Sequence, residues 1–306
     1  MEKNIVEKLV GLIQETSSSL PEDVLKAVKA ALRREAKGSA AATVLKTIVD
    51  NCAIAKRRGT PLCQDTGTLT FFVDERLRRT VTPAALKKAV ALATERGYLR
   101  KNTIDAISGK SYDDNCAEGA PVVHYVQRKK EEGRGEKCGV TLVMKGGGSE
   151  NMSRQYSLPD TSIGAGRDLE GVRTCVLDAV QKIQGYGCAP GILGVCIGGD
   201  RATGFEVAKE QLLRPLGANE ELGMRNEELP DNLGQTEIVN PNNRAIQRLE
   251  KRLLKEANSL GIGPMGLGGK TTLLGVKVAA RPRVPASFFV TIAYMCWACR
   301  RRTMHV

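Results

Sequence analysis

The 306-residue sequence contains only two histidines, His124 and His305. A Ser–His–Asp triad or a histidine-built metal site therefore has little to draw on. Aromatic residues make up 4% of the chain, with a single tryptophan, so the stacking platforms of single-strand nucleic-acid binders are thin. No apolar run reaches the length that crosses a bilayer. The opening stretch MEKNIVEKLVGLIQE mixes acids into an amphipathic pattern and lacks the basic-then-apolar order of an export signal. Nine cysteines without such a signal point to a reducing, cytoplasmic location. Their odd number opposes a full disulfide framework. Only Cys296 and Cys299 form a C-x-x-C, and no second pair completes a zinc site.

What the chain does have is an ordinary globular composition, 42% apolar and 26% charged, with 32 glycines. The net charge of +12 suits an anionic ligand, an acidic partner or nucleic acid. Basic residues are scattered except at 56–58 and in the RRR run at 300–302, which reads as a solvated or subunit-facing patch.

Hydrophobic periodicity predicts helices over 4–16, after the Ser–Pro at 19–21, and over 40–58. TLTFFV reads as a strand, and a helix follows over 82–100. GAPVVHYVQ and CGVTLVMK read as neighbouring strands, with the charged RKKEEGRGEK as a solvated hairpin turn. Further helices are expected over 168–184, from Arg201 to about 216, and over 243–260, with a polar surface loop at 216–242. GILGVCIGG, LLGVKVAA and SFFVTIAYM read as strands. The expected fold class is mixed α/β: a helical N-terminal part of about 1–58, then a body of about 59–306 with small mixed sheets flanked by helices, in one domain.

Four segments place glycines and polar groups at the edge of an apolar strand: PLCQDTG (61–67), KGGGSENMS (145–153), GCAPGILGVCIGGD (187–200) and GIGPMGLGGKTT (261–272). Glycine lets backbone approach a ligand closely and present N–H groups to anions. GLGGKTT lacks the spacing of a phosphate-binding P-loop. Read alone, each cysteine fits a core thiol better than a ligand. Asp65 fits a turn cap, Arg100 the basic end of a helix, Trp297 packing, and His124 a satisfied core histidine.

Taken in order, PLCQDTG, GGGSENMS, IGGDRATGFEVAKEQLL, LGIGPMGLGGKTT and PASFFVTIAYMCWA resemble the iron–sulfur hydro-lyases of the class I fumarase and tartrate dehydratase group. The likeness covers nearly the whole chain and is to the α subunit, or to the equivalent N-terminal catalytic domain of single-chain members. It implies that Cys63, Cys188 and Cys296 hold a [4Fe–4S] cluster whose fourth iron stays open as a Lewis acid, with Cys299 near enough in sequence to compete with Cys296. It implies substrate roles for Gln64 and Asp65, a carboxylate-binding role for Arg100, a backbone contact from Gly146, and a place facing the site for Lys270. Where single-chain relatives carry a histidine before the third cysteine, this chain has Val284, with Arg283 as a nearby cation.

The resemblance further implies reversible hydration of fumarate to L-malate, with dehydration of L-tartrate to oxaloacetate as the alternative. The family's general base and further cations belong to a C-terminal domain or β subunit. The expectation is thus a chain inactive alone, completed by a β subunit in an α2β2 assembly or around a homodimeric α core, with no membrane partner. A basic nucleotide- or RNA-binding protein is the rival reading from another class.

Overall fold

Three helices come first: α1 (Glu2–Ser18), α2 (Glu22–Arg34) and α3 (Ala40–Arg58). Their limits follow from local chemistry. Ser39 accepts the Ala42 N–H as N-cap of α3, and Gly59 closes that helix in the left-handed conformation. The computed structural model describes residues 2–127, 138–217 and 244–306. The strands are β1 (Thr68–Asp74), β2 (Val122–Val126), β3 (Gly139–Lys145), β4 (Arg154–Ser157), β5 (Gly191–Gly198), β6 (Leu273–Arg281), β7 (Phe289–Met295) and β8 (Arg300–His305). The remaining helices are α4 (Pro83–Glu95), α5 (Gly147–Glu150), α6 (Leu169–Ile183), α7 (Arg201–Gln211) and α8 (Arg244–Ser259). Among the described residues no helix is long and apolar enough to cross a membrane.

The strands form two four-stranded mixed sheets, ordered β2-β1-β3-β8 and β4-β7-β5-β6. The first sheet buries Phe71, Val73, Leu142 and Met144 against α1 and α4, whose Leu9, Ile13, Leu86 and Val90 face it. The second is covered on both faces. Leu193, Val195, Val276 and Ile292 pack towards α6 and α8, while Ile192, Cys196, Ala279 and Ala293 pack towards α2, α3 and α7. This double burial explains why β5 reads as an unbroken apolar run.

Three expectations change. β2 and β3 are not neighbours: β1 lies between them, parallel to β2 and antiparallel to β3, so no two-stranded hairpin joins them. The turn expected at 128–137 lies outside the described residues, as does the 216–242 loop beyond its first two positions. The RRR run is not a solvated patch but the start of β8, which pairs with β3. Arg300 is only 1% exposed. His124 is exposed on β2 and stacks on Phe72 with ring centroids 5.1 Å apart, so it is not a core histidine. Trp297 does pack in the core.

One contact fixes how closely the turn before β1 approaches the end of β3. Gly67 has φ +75°, and a Cβ there would sit 2.4 Å from the Lys145 carbonyl carbon and oxygen. Gly97 has the same φ of +75° with open space around it. Gly67→Ala should therefore cost about 3 kcal/mol in urea unfolding, combining left-handed strain with overpacking. Gly97→Ala should cost only about 1 kcal/mol. Equal costs would mean that the backbone contact contributes nothing.

Candidate active site

Strand register brings the polar segments together. Thr68 of β1 lies opposite Lys145 of β3, and Met144 opposite Arg300 of β8. PLCQDTG, KGGGS and the start of β8 therefore share one end of the first sheet. In the second sheet Ile192 lies opposite Met295 and Gly191 opposite Leu273. Cys188 before β5, Cys296 after β7 and the glycine-rich loop before β6 thus share one end of that sheet. The four residues Cys296–Cys299 carry the chain from β7 to β8, from one sheet to the other. The segment GCAPGILGVCIGGD is split: its cysteine end is here, while its Asp200 caps α7 at the opposite end of β5.

Cys63, Cys188 and Cys296 are free thiols, Cys188 exposed and the other two half-buried. Cys188 adopts φ +52°, and its N–H donates to the Gly185 carbonyl at 3.1 Å. The Trp297 N–H reaches the Cys188 carbonyl at 3.4 Å, joining the two cysteine turns. Each of the three thiols lies within the electrostatic reach of the other two. Burial pushes the Cys296 thiol up to about 12. Burial, then the charges of Cys63 and Asp65, raise Cys188. Cys299 is turned elsewhere: it is buried, and its sulfur accepts from Arg301 Nη1 at 3.7 Å. Cys52, Cys175 and Cys196 are buried, and Cys116 and Cys138 half-buried.

Two buried donors stand beside the three thiols. Tyr294, 1% exposed, feels Cys296 and Cys188, and its Oη has no hydrogen-bond partner among the described residues. Arg300 feels Cys63, Cys296 and Asp65, and its Nε and Nη1 are likewise unpartnered. Burial lowers the Arg300 pKa, opposed by those neighbours. Among the described residues no three His, Cys, Asp or Glu side chains are gathered so as to hold a metal ion.

Asp65 is clasped from three sides. Its Oδ1 accepts from Asn102 Nδ2 at 3.1 Å, its Oδ2 from the Gly148 N–H at 3.4 Å, and its backbone carbonyl from Arg300 Nη2 at 2.7 Å. It ties three segments together rather than capping its own turn. Gly146 permits this: a Cβ there would come 2.8 Å from Asp65 Oδ2. Gln64, next to it, is exposed and makes no side-chain hydrogen bond among the described residues.

Arg100 is not a helix end, since α4 stops at Glu95. Its N–H donates to Thr66 Oγ1 at 3.3 Å, and its carbonyl accepts from Asn115 Nδ2 at 2.7 Å. Asn115, buried at φ +60°, also accepts the N–H groups of Asn102 and Thr103 at 2.7 and 3.0 Å. The Arg100 guanidinium is exposed and unpaired among the described residues.

Lys270 is held by its backbone, whose N–H donates to the Glu35 carboxylate at 2.9 and 3.0 Å, and its side chain is exposed. Its loop reaches the Cys188 turn through the Met265 N–H to the Ala189 carbonyl, 3.0 Å. Val284 is exposed, and Arg283 folds back onto its own loop, donating to the Val284, Pro285 and Ser287 carbonyls at 3.3 Å.

Sequence reasoning passed over Asn102, Asn115, Lys145, Tyr294 and Arg300. Lys145 pairs with Glu150, which also binds Lys209 Nζ at 2.6 Å. Burial lowers the Lys145 pKa, against the opposing pull of Glu150. The one signal available for Arg300 was an arginine directly following the C-x-x-C that ends an apolar stretch.

The chain matches the family model described as Fumarate hydratase (Fumerase) over residues 6–305. It is 44% identical to a putative class I fumarate hydratase of Geobacillus stearothermophilus, over 100% of this chain and 55% of that protein. It is 31% identical to a putative L(+)-tartrate dehydratase subunit alpha of Methanocaldococcus jannaschii, over 97% of this chain and 95% of the relative. An L(+)-tartrate dehydratase subunit alpha of Escherichia coli is 28% identical over 95% of this chain and 86% of its own length. The chain thus spans about half of the Geobacillus relative and most of the two α subunits. On the family match and the first two identities together, the chain belongs to the fumarate hydratase (Fumerase) family.

Proposed function

We propose that this chain is the α-type part of a hydro-lyase that interconverts fumarate and L-malate, with a [4Fe–4S] cluster on Cys63, Cys188 and Cys296. The observation that carries the reading is that strand register brings the three cysteine segments and Asp65 to the junction of the two sheets, within electrostatic reach of one another. The donor set fits such a group. Each thiolate of a cluster binds a different iron, so the sulfurs stand further apart than around one ion. Three buried donors without partners among the described residues, Arg300 Nε and Nη1 and the Tyr294 hydroxyl, have the cysteine thiols as electrostatic neighbours. When bound, the cluster supplies an iron with an open position that acts as a Lewis acid on the substrate's leaving hydroxide.

The chain's own residues then bind and orient. Asp65, fixed by Asn102 and Gly148, accepts a hydrogen bond from the substrate hydroxyl and holds its oxygen towards the cluster. The Arg100 guanidinium, whose backbone is pinned while its side chain stays free, takes a substrate carboxylate in a two-pronged contact. Gln64 and the Gly146 backbone line the same edge, and Lys270 adds a cation from the β6 loop. Residues beyond this chain, on a β subunit or a covalently joined equivalent, complete the acid–base machinery. The partner reading is supported by relatives named as α subunits and by the length of the Geobacillus protein. The near end-to-end match to a putative L(+)-tartrate dehydratase α subunit favours tartrate as the second substrate to assay.

Anaerobic reconstitution with iron and sulfide should give a brown protein with a full cluster's complement of both elements. Cys63→Ser, Cys188→Ser and Cys296→Ser should each lose iron. Cys299→Ser and Cys175→Ser should keep it. A colourless wild type would sink the reading.

In the assembled enzyme, with fumarate, malate and both tartrate enantiomers as substrates, Asp65→Asn should lower kcat by about 100-fold. Asn102→Ala, which removes one bond to Asp65, should lower it by about tenfold. Full activity in Asp65→Asn would remove that residue from the site.

A further inference from the structure

Arg300 is the largest fully buried side chain among the described residues, and its surroundings do not account for its charge. A buried cation is costly unless it is paired and hydrogen-bonded. Among the described residues only Nη2 of its guanidinium nitrogens has a partner, and that partner is the neutral carbonyl of Asp65. The other groups near it are the thiols of Cys63, Cys296 and Cys299 and the Asp65 carboxylate, and that carboxylate is already bonded to Asn102 and Gly148. Thiols are weak acceptors. Tyr294 repeats the pattern from the second sheet, with a buried hydroxyl that has no partner and the Cys188 and Cys296 thiols as its electrostatic neighbours. Two residues with unpartnered donors, one from each sheet, thus neighbour one group of sulfurs.

We infer that Arg300 and Tyr294 are the protein's counter-charge and hydrogen-bond donors to the bound cluster, and that Arg300 couples the cluster to the placement of Asp65. The inference rests on the cluster reading above. The formal charges agree: a doubly positive cubane core on three thiolates carries one net negative charge, and Arg300 supplies one positive. Ligation turns weakly accepting thiols into thiolates and adds sulfide, so the orphaned N–H and O–H groups gain strong acceptors only when the site is loaded. Hydrogen bonds and a cation at the sulfurs favour the reduced, more negative state and so raise the reduction potential. Both residues are positioning residues, since neither need touch substrate. Nη2 holds the Asp65 backbone, and the remaining donors hold the cluster against which Asp65 presents the substrate.

The test uses the full chain, cluster-loaded anaerobically and then stripped with a chelator, in wild type, Tyr294→Phe, Arg300→Met and Arg300→Lys. Tyr294→Phe removes one oxygen and leaves the ring packing, so it guards against a variant that merely misfolds. Two quantities are read: the rise in Tm on loading, and the midpoint potential from a redox titration followed by electron paramagnetic resonance. Wild type should gain Tm on loading. Tyr294→Phe and Arg300→Met should gain less and shift the potential to more negative values, and Arg300→Lys should fall between Arg300→Met and wild type. An Arg300→Met protein that takes up no cluster yet keeps the wild-type Tm when stripped also supports the inference.

Unchanged potential and Tm gain in Tyr294→Phe and Arg300→Met would overturn it. So would a stripped Arg300→Met protein that has already lost its fold, because the role would then be structural. If wild type itself takes up no cluster, the functional reading fails, and this inference with it.

Discussion

The four-residue passage from β7 to β8 is the constraint on which the site depends. β7 belongs to one sheet and β8 to the other, and only Cys296–Cys299 separate them. Five peptide steps span at most about 18 Å, so the end of β7 and the start of β8 cannot drift apart. Antiparallel register then places everything else. The end of β7 fixes the start of β5 and with it Cys188. The start of β8 fixes the end of β3, and β3 fixes the start of β1 and with it Cys63. Polar residues dispersed over more than two hundred positions reach one place because strand pairs carry position faithfully across a sheet.

The same geometry explains the placement of charge. Many basic residues are matched by acids in surface pairs, such as Arg252 with Glu170 and Glu256, Arg96 with Glu7, and Lys46 with Asp50. Exposed pairs of this kind add little stability. The cations with consequences are those at the sheet junction: Arg300 inside, Lys145 half-shielded beside Glu150, and Arg100 open to solvent. On the proposed reading they grade from cluster to substrate, which suits a doubly anionic ligand approaching from outside.

Most of the elements were legible in the sequence. The long helices announced themselves through periodicity, with starts expected close to where Ser39, Thr82 and Asp168 cap them. Six strands announced themselves as apolar runs, but the polar β4, RQYS, and β8, RRRTMH, did not. Pairing was not legible: nothing local to GAPVVHYVQ or CGVTLVMK says that β1 lies between them, because strand order is settled by long-range packing. Motif resemblance named the cysteines, Asp65 and Arg100, but not what holds them. Asn115 reads as one polar residue in a loop, and only the fold gives it four bonds to the backbone and side chains around Arg100. Arg300 failed for the opposite reason. A run of arginines matches a solvated patch in every compositional respect, and its burial follows only from β3 pairing with β8.

The cysteine turns also bear on the order of events in the cell. In a zinc finger the ligands sit close in sequence, and metal draws the chain into shape. Here Cys63, Cys188 and Cys296 come from remote segments and meet only after both sheets have formed and been joined. On the proposed reading, inorganic cargo arrives at a finished receptacle, and Cys188, exposed on its left-handed turn, is the most accessible of the three thiols. Maturation would then be a late step laid on a folded protein, and loss of the cargo to oxidants would leave behind a folded apoprotein ready to be refilled.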